Sequence, residues 1–524
     1  MSIKVTTTEN NRLPGELDRE LSTVAKGAGI SFSGKITGTG IKYLTQVIIA
    51  RFLGTELFGL YALGIVLYQV GETLARMGLQ SGTVRFASIH NSTRDLPRLK
   101  GILQQAIRIP FFGGSIIGIV FYFVSRSIAE GIFAEPNLTP VLRIFAIAIP
   151  IGASMNVSAF ATTCFQTTKY MVFVTGILHP ISNLLLVVLL CVLGLGLQGA
   201  VAAWIIASVL GLSVSVYLVR KIFPEGAWKG LKSVVETGKL LKFSLPLAFG
   251  GFLGFILLWM SILMLGYFKS AYEVGIFRAA SQTALLLIII LNSLNTIFSP
   301  MIADLFHKED QNKMEQIFKL TTRWSFSATI PLFIIMWLAG QNILHIFGQE
   351  FIAGWLPLVI LAGGQLVNAG TGGIAYILIM SGHQYHKLFG DLLLVILNIL
   401  LNIYLIPRWG LVGAAVATSI SMASVNILRA FQVYVMLKTH AYNWLYLKPI
   451  GAGLLAGILG IGLRPWLQDM HFFLALIIMA LFILTTYSVS LWGMRLEKND
   501  KMILSKIKNK INKKIGAGRN IEPK

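Results

Sequence analysis

Gly34-Lys-Ile-Thr-Gly-Thr-Gly-Ile-Lys-Tyr-Leu-Thr-Gln-Val-Ile-Ile-Ala-Arg-Phe-Leu-Gly-Thr-Glu-Leu-Phe-Gly-Leu-Tyr-Ala-Leu-Gly-Ile-Val-Leu-Tyr-Gln-Val-Gly-Glu-Thr-Leu-Ala-Arg76 decides how this chain folds. It reads as two membrane helices joined by a short turn over 52–61. The helices are apolar yet carry Lys35, Lys42, Glu72 and Arg76. A charge near the bilayer centre costs about 2.5–3.5 kcal/mol on insertion scales. Lys35, Thr39, Lys42 and Gln46 fall at i, i+4, i+7 and i+11, one stripe on one helix face. Gln69, Glu72 and Arg76 form a second stripe on the second helix. Two polar stripes within a membrane predict a polar cavity between helices.

The rest of the chain fits that environment. Of 524 residues, 55% are hydrophobic and only 13% charged, with a mean hydropathy of +0.72. Soluble domains carry about 25% charged residues. Apolar runs long enough to span recur from end to end, since a crossing needs about 20 residues. They predict an all-α polytopic membrane protein of about fourteen crossings: 30–50, 57–79, 101–125, 141–163, 170–193, 197–219, 243–266, 274–299, 324–343, 354–380, 388–407, 411–436, 449–464 and 472–494. Cys164 and Cys191 both lie in apolar runs, which argues against a disulfide framework or a Cys-rich metal site. The first 25 residues are polar, so no cleavable signal peptide is expected and the first membrane helix serves as the insertion signal.

The net charge of +22 does not point to nucleic acid, because of where the charge sits. Alternate loops place 32 of the 44 Lys and Arg on one face and 6 on the other. By the positive-inside rule both termini are cytoplasmic, in a multi-pass protein of the cytoplasmic (inner) membrane. The basic tail either rests on anionic headgroups or is solvated.

Internal repetition organises the chain further. At an offset near 216, Lys26 matches Lys242, Gly34 and Gly38 match Gly250 and Gly254, Phe52 matches Phe268, and Gly59 matches Gly275. Gly196-Leu-Gln-Gly-Ala-Val-Ala-Ala203 matches Gly410-Leu-Val-Gly-Ala-Ala-Val-Ala417 at 214. Matches in register predict a duplication. Each copy holds six crossings, so the two lobes insert in the same orientation about a pseudo-two-fold axis along the membrane normal. The expected organisation is a cytoplasmic segment 1–25, an N-lobe 26–222, a cytoplasmic linker 223–238, a C-lobe 239–438, two extra helices within 439–494 and a basic tail 495–524. Pro110, Pro150, Pro180, Pro246, Pro331 and Pro357 are candidate kinks.

The repeat provides an internal control. Lys35, Lys42, Glu72 and Arg76 align with Gly251, Leu258, Ile288 and Asn292. The second copy builds a similar helix pair without these charges, so packing does not demand them and a ligand is the alternative. In the second lobe Arg278, Gln282 and Asn292 share a face. Cations in a low-dielectric cleft bind a diphosphate far more strongly than in water. The competing reading of Lys35 and Arg76 is snorkelling toward headgroups; for Lys42, ~18 Å along its helix and past the midplane, snorkelling is harder, while Arg278, near the outer interface, has an interfacial reading as its alternative. Glu72 pairs with Arg76, four residues on, and is either a self-neutralising partner or a coupling switch. Arg108 and Arg429 read as snorkellers, and Asp391 as solvated near a helix end.

The stretches Ala25-Lys-Gly-x-Gly-Ile-Ser-Phe-x-Gly34 and Ala50-Arg-Phe-Leu-Gly-Thr-Glu-Leu-Phe-Gly-Leu-Tyr61 resemble the polysaccharide transporter (Wzx-type oligosaccharide flippase) family of the MATE/MurJ-like flippase superfamily, also called the MOP superfamily. The resemblance implies a flippase for undecaprenyl-diphosphate-linked oligosaccharide or polysaccharide repeat units, working by alternating access. It implies a V-shaped pair of lobes around a cationic cavity, with cations from the first, second and eighth helices, where Lys35, Lys42, Arg76 and Arg278 fall. Membrane lipid and a lipid-linked glycan are the implied partners, with a polysaccharide polymerase or glycosyltransferases nearby. The polar cavity lining would include Thr39, Gln46, Gln69, Gln282 and Asn292, with Glu72 as coupling candidate.

Other chemistries have little to stand on. No Walker A lysine or Gly-x-Ser-x-Gly is present, so neither ATP nor a hydrolase site is expected. His383 and His386 have no third ligand nearby, so no metal or other cofactor is expected. A MATE-like antiporter of cationic drugs would present carboxylates and aromatics where this first helix presents lysines. A glycan-assembly enzyme would need a larger outer loop than 126–140 or 344–353.

Overall fold

The computed structural model describes the backbone of residues 14–224, 228 and 230–494, and their side chains apart from 14–32, 35, 257, 297 and 300. The basic tail, most of the N-terminal segment and the side chain of Lys35 lie outside the described residues. Among the described residues every regular element is a helix.

α1 (Pro14–Arg76) stays helical through the expected turn on both sides of one break. Only Gly54 leaves helical geometry, at φ 73°, ψ 178°, a region open essentially to glycine alone. The turn expected over 52–61 is therefore corrected to a one-residue break. A second correction follows it: part of the loop expected over 85–100 is helical. Met77 and Gly78, at φ 47° and 68°, redirect the chain into α2 (Leu79–Ser92). α2 is stable there because Gly82 lets it sit against Leu240 and Ser244.

α3 (Leu96–Arg126) starts at the Asp95 cap, whose Oδ1 accepts from Arg98 N at 3.2 Å. Then come α4 (Leu138–Ala161), α5 (Lys169–Val172), a π-helical stretch 173–178, α6 (His179–Val192) and α7 (Gly196–Lys221). The second half comprises α8 (Thr237–Phe268), α9 (Ala271–Ala284), α10 (Ile288–His307), α11 (Gln311–Leu338), α12 (Gly340–His345), α13 (Trp355–Thr371), α14 (Ile374–Met380) and α15 (Gln384–Leu437). α16 (Leu447–Leu463) and α17 (Phe472–Gly493) complete it. α15 breaks at Gly410, φ 53° and ψ −131°. Its sequence match Gly196 also has positive φ, 49°. Pro110, Pro150, Pro246 and Pro331 lie inside α3, α4, α8 and α11.

Eleven helices among the described residues are long and apolar enough to cross a membrane. Two of them, Ile36–Ser92 and Gln384–Leu437, have 57 and 54 residues. A crossing needs about 20, so each holds more than one, divided at Gly54 and Gly410.

α3 packs on α4, α4 on α7 and α6 on α7, while α13 packs on α11 and α15, and α8 on α15. The two groups meet where α1 lies against α8 and α9. One buried apolar cluster crosses that junction, with Phe58, Tyr61 and Phe145 on one side and Phe277, Phe347 and Phe351 on the other. α16 and α17 lie outside both groups, against α11, where Tyr487 Oη donates to Ser327 O at 2.7 Å.

The junction is tightest at two glycines. A Cβ on Gly59 would lie 1.7 Å from Ala271 O, and one on Gly275 2.2 Å from Thr55 O. The contact is reciprocal in sequence, since 55 and 59 match 271 and 275 at an offset of 216. One turn earlier on the same face, Arg51 donates to His345 O at 2.6 Å and Ile346 O at 2.7 Å. Thr55 Oγ1 donates to Glu350 Oε2 at 2.5 Å, and Glu135 Oε1 accepts from Ala271 N at 3.1 Å. The halves are thus bonded together on the face poor in Lys and Arg. Gly59→Val has no room at this crossing, and overpacking typically costs ~1–3 kcal/mol. A clearly lowered melting temperature in detergent is the expected result; an unshifted melt contradicts the close crossing.

On the basic face the linker is strapped to the first half. Lys100 Nζ donates to Trp228 O and Leu231 O at 2.6 Å each, and Val234 N to Pro97 O at 3.0 Å. Glu236 accepts from Lys239 at 2.7 Å and meets His90 Nε2 at 3.2 Å. These hydrogen bonds, Lys239 foremost, hold the Glu236 carboxyl below its ordinary range.

Candidate functional site: a polar cavity at the junction of the two halves

A cavity of about 470 Å³ lies between the first half and α8. α1 supplies Lys42, Tyr68, Gln69, Glu72, Thr73 and Arg76 to its lining. α4 gives Met155 and Asn156, the π-helical stretch Thr175, α6 His179 and α7 Trp204. Facing them, α8 gives Gly251, Gly254, Phe255, Leu258 and Trp259. The first-half wall is thus charged and the α8 wall small or apolar. The absence of side-chain bulk at Gly251 and Gly254, where a Cβ would meet nothing within 4 Å, leaves that wall open.

The polar floor is built around Glu72, which is 5% exposed. Glu72 Oε2 lies 3.1 Å from Arg76 Nη2, and Oε1 accepts from Asn156 Nδ2 at 2.8 Å. Arg76 Nη2 also donates to Thr73 Oγ1 at 2.9 Å. Arg76 Nε is buried without a partner among the described residues. Four residues per pair bring Glu72 and Arg76 onto one face, while Asn156 arrives from α4 because Gly152, one turn before it, lets Tyr68 close in. A Cβ there would lie 1.9 Å from Tyr68 Oη.

Lys42, unlike Arg76, has no ion-pair partner among the described residues. It lines the cavity, and among the described residues no hydrogen bond or ion pair engages it. Its chain is accessible from the cavity.

Four of the residues predicted from sequence come together here: Lys42, Gln69, Glu72 and Arg76. Thr39, Gln46, Arg278, Gln282 and Asn292 are not in the lining. Gln46 is buried with Oε1 unpartnered, and Asn292 is exposed on α10. Arg278 is 3% exposed and sits behind the cavity wall, its guanidinium 4.5 Å from the centre of the Trp259 ring. With its amide oxygen turned to the guanidinium, Gln282 accepts from Arg278 Nη2 at 2.6 Å and Nη1 at 3.0 Å.

Asp391 and Arg429 are also corrected. Neither is solvated or snorkelling: their side chains are 13% and 8% exposed, with Arg429 Nη2 2.5 Å from Asp391 Oδ1. The two arms of α15 fold back at Gly410 and bring them together, and Lys387 Nζ holds the second oxygen at 2.5 Å. Among the described residues no three His, Cys, Asp or Glu side chains gather into a metal-holding group.

Sequence reading missed the walls. Tyr68, Asn156, Thr175, His179, Trp204 and Trp259 all line the cavity. His179, 4.8 Å from the Trp204 ring and 3.2 Å from Ser208 Oγ, carried a visible signal as the one histidine in the apolar run 170–193.

Two apolar helix bundles meeting at a charged cavity define a polytopic membrane transport protein. The polysaccharide biosynthesis protein family profile matches residues 24–306, more than half of the chain, and the chain belongs to that family. The MatE profile matches residues 246–404. The chain is 22% identical over 409 residues to the "Probable low-salt glycan biosynthesis flippase Agl15" of Haloferax volcanii, covering 76% of this chain and 81% of that one. It is 22% identical over 353 residues to the succinoglycan biosynthesis transport protein ExoT of Rhizobium meliloti, covering 67% and 68%. Its fold resembles that of the lipid II flippase MurJ in an inward closed conformation, with a TM-score of 0.69, 14% identity and coverage of 88% and 97%.

Proposed function

We propose that this protein is a flippase that carries a lipid-linked oligosaccharide, joined to its lipid through a diphosphate, across the cytoplasmic membrane by alternating access. The observation that carries the reading is Lys42, an unpartnered cation that lines the same cavity as Arg76 between two helix bundles. A diphosphate supplies the anion that Lys42 lacks. The relatives named for glycan biosynthesis and transport support the same substrate class. The MATE-like alternative has less to stand on, because the acid in this cavity, Glu72, is already engaged by Arg76.

In this reading the chain crosses the membrane fourteen times as two six-helix lobes plus α16 and α17. Both termini are cytoplasmic, and a polymerase or glycosyltransferases act on the same glycan. The inter-lobe bonds of Arg51, Thr55 and Glu135 close the outer face and break when the cavity opens outward. Glu72 is the coupling group: an incoming diphosphate competes with it for Arg76, and taking up a proton withdraws Glu72 from that competition.

The function is tested by deleting the gene and assaying surface polysaccharide. Loss of surface polymer with lipid-linked repeat units accumulating on the cytoplasmic leaflet is expected. Normal surface polymer with no accumulation contradicts the reading. Topology is tested separately by an impermeant thiol reagent on intact cells. A cysteine at Gly131 should label and one at Lys524 should not; the reverse pattern overturns the orientation.

A further inference from the structure

The cavity has an aromatic side that the diphosphate does not need. Tyr68 and Trp204 lie edge to face at 6.0 Å on one wall, and Phe255 and Trp259, one helical turn apart, lie on the other. An anion gains nothing from the negative face of an aromatic ring. A pyranose does: the C–H bonds on one face of the sugar carry positive partial charge and pack flat on such a ring, while its hydroxyls need polar neighbours at the edge. Asn156, Gln69 and Thr175 are the polar side chains in the same lining.

Trp259 differs from the other aromatics in what stands behind it. Arg278, a buried cation on α9, lies 4.5 Å from its ring centre and is anchored through Gln282. A desolvated cation–π contact favours one orientation of the indole. The residue that sequence offered as a phosphate ligand is thus one ring removed from the ligand space.

We infer that Trp259 is the stacking platform for the sugar attached to the diphosphate, and that Arg278 is the positioning residue that holds it. The inference rests on the flippase reading and adds that the cavity reads a sugar as well as a charge. Lys42 and Arg76 take the diphosphate, and the first pyranose lies on Trp259. Lipid diphosphates without a sugar therefore bind more weakly than those with one.

The test measures calorimetric affinities of the purified full-length protein for two probes, a polyprenyl diphosphate and the same lipid carrying N-acetylglucosamine on the diphosphate. The wild type should prefer the sugar-bearing lipid by about tenfold. Trp259→Leu should bring that ratio below about two, and Trp259→Phe should keep most of it. Arg278→Leu should lower the ratio and Arg278→Lys restore it, because Lys keeps a cation over the ring. A wild-type ratio of one overturns the inference, as does a ratio unchanged in Trp259→Leu. If Arg278→Leu weakens both probes in proportion, Arg278 is a phosphate ligand and its positioning role is overturned. If neither probe binds the wild type, the flippase reading itself falls, and this inference with it.

Discussion

Lys42→Ala should reduce transport by about tenfold or more while leaving yield and melting temperature in detergent close to wild type. Its ammonium has no partner among the described residues, so removing it breaks no internal bond. The loss falls on the bound anion, where a hydrogen bond to a charged group is worth about 1.5–3 kcal/mol, or roughly 10–100-fold in affinity. Lys42→Arg should recover much of the activity, since a guanidinium also pairs with phosphate. Lys42→Glu should be the most severe, placing an anion against an anion. Restoration of surface polysaccharide in a null strain, with expression checked by immunoblot, separates these cases. Full restoration by Lys42→Ala removes the anion site from this cavity.

Glu72→Gln should transport with a flattened pH profile, and Glu72→Ala should lose folded protein. The difference lies in what each variant leaves behind. Gln keeps the shape and a hydrogen-bond partner for Asn156, and Arg76 retains Thr73. Ala leaves Arg76 and Asn156 facing an empty space; breaking a buried pair by removing one partner costs about 3–5 kcal/mol. Arg76 is 25% exposed, so solvent reduces that figure. Lys42, His179 and Tyr68 line the same cavity and are unchanged between the two proteins, so the comparison isolates the carboxyl. Rates in proteoliposomes across pH give the answer: an unchanged profile in Glu72→Gln makes the carboxylate a structural partner of Arg76 only.

The membrane class and the Glu72–Arg76 pair were legible because periodicity and spacing act along one helix, whereas of the first helix's stripe only Lys42 lines the cavity. Lys42, Gln69, Glu72 and Arg76 reach one cavity because helical spacing puts them on facing surfaces. What was not legible depends on contacts between helices. Arg278 sits at a plausible depth on its helix, but the ring in front of it comes from α8. Asp391 and Arg429 look like end-of-helix charges until Gly410 folds the two arms of α15 together. Gly54 reverses the chain in one residue, where a run of turn-forming residues suggested a longer loop. Trp204 and Trp259 look like ordinary apolar filler in their helices, because cavity-facing and lipid-facing aromatics have the same composition.

In the flippase reading this cavity carries a lipid-diphosphate-linked glycan between leaflets. The most direct measurement uses proteoliposomes containing a fluorescent polyprenyl-diphosphate-linked sugar, with the outer leaflet bleached by an impermeant reductant. Wild-type protein should expose the protected inner-leaflet pool to bleaching, and Lys42→Ala should leave it protected, as in vesicles without protein. Equal bleaching by wild type and Lys42→Ala, or a protected pool with both, would contradict the account.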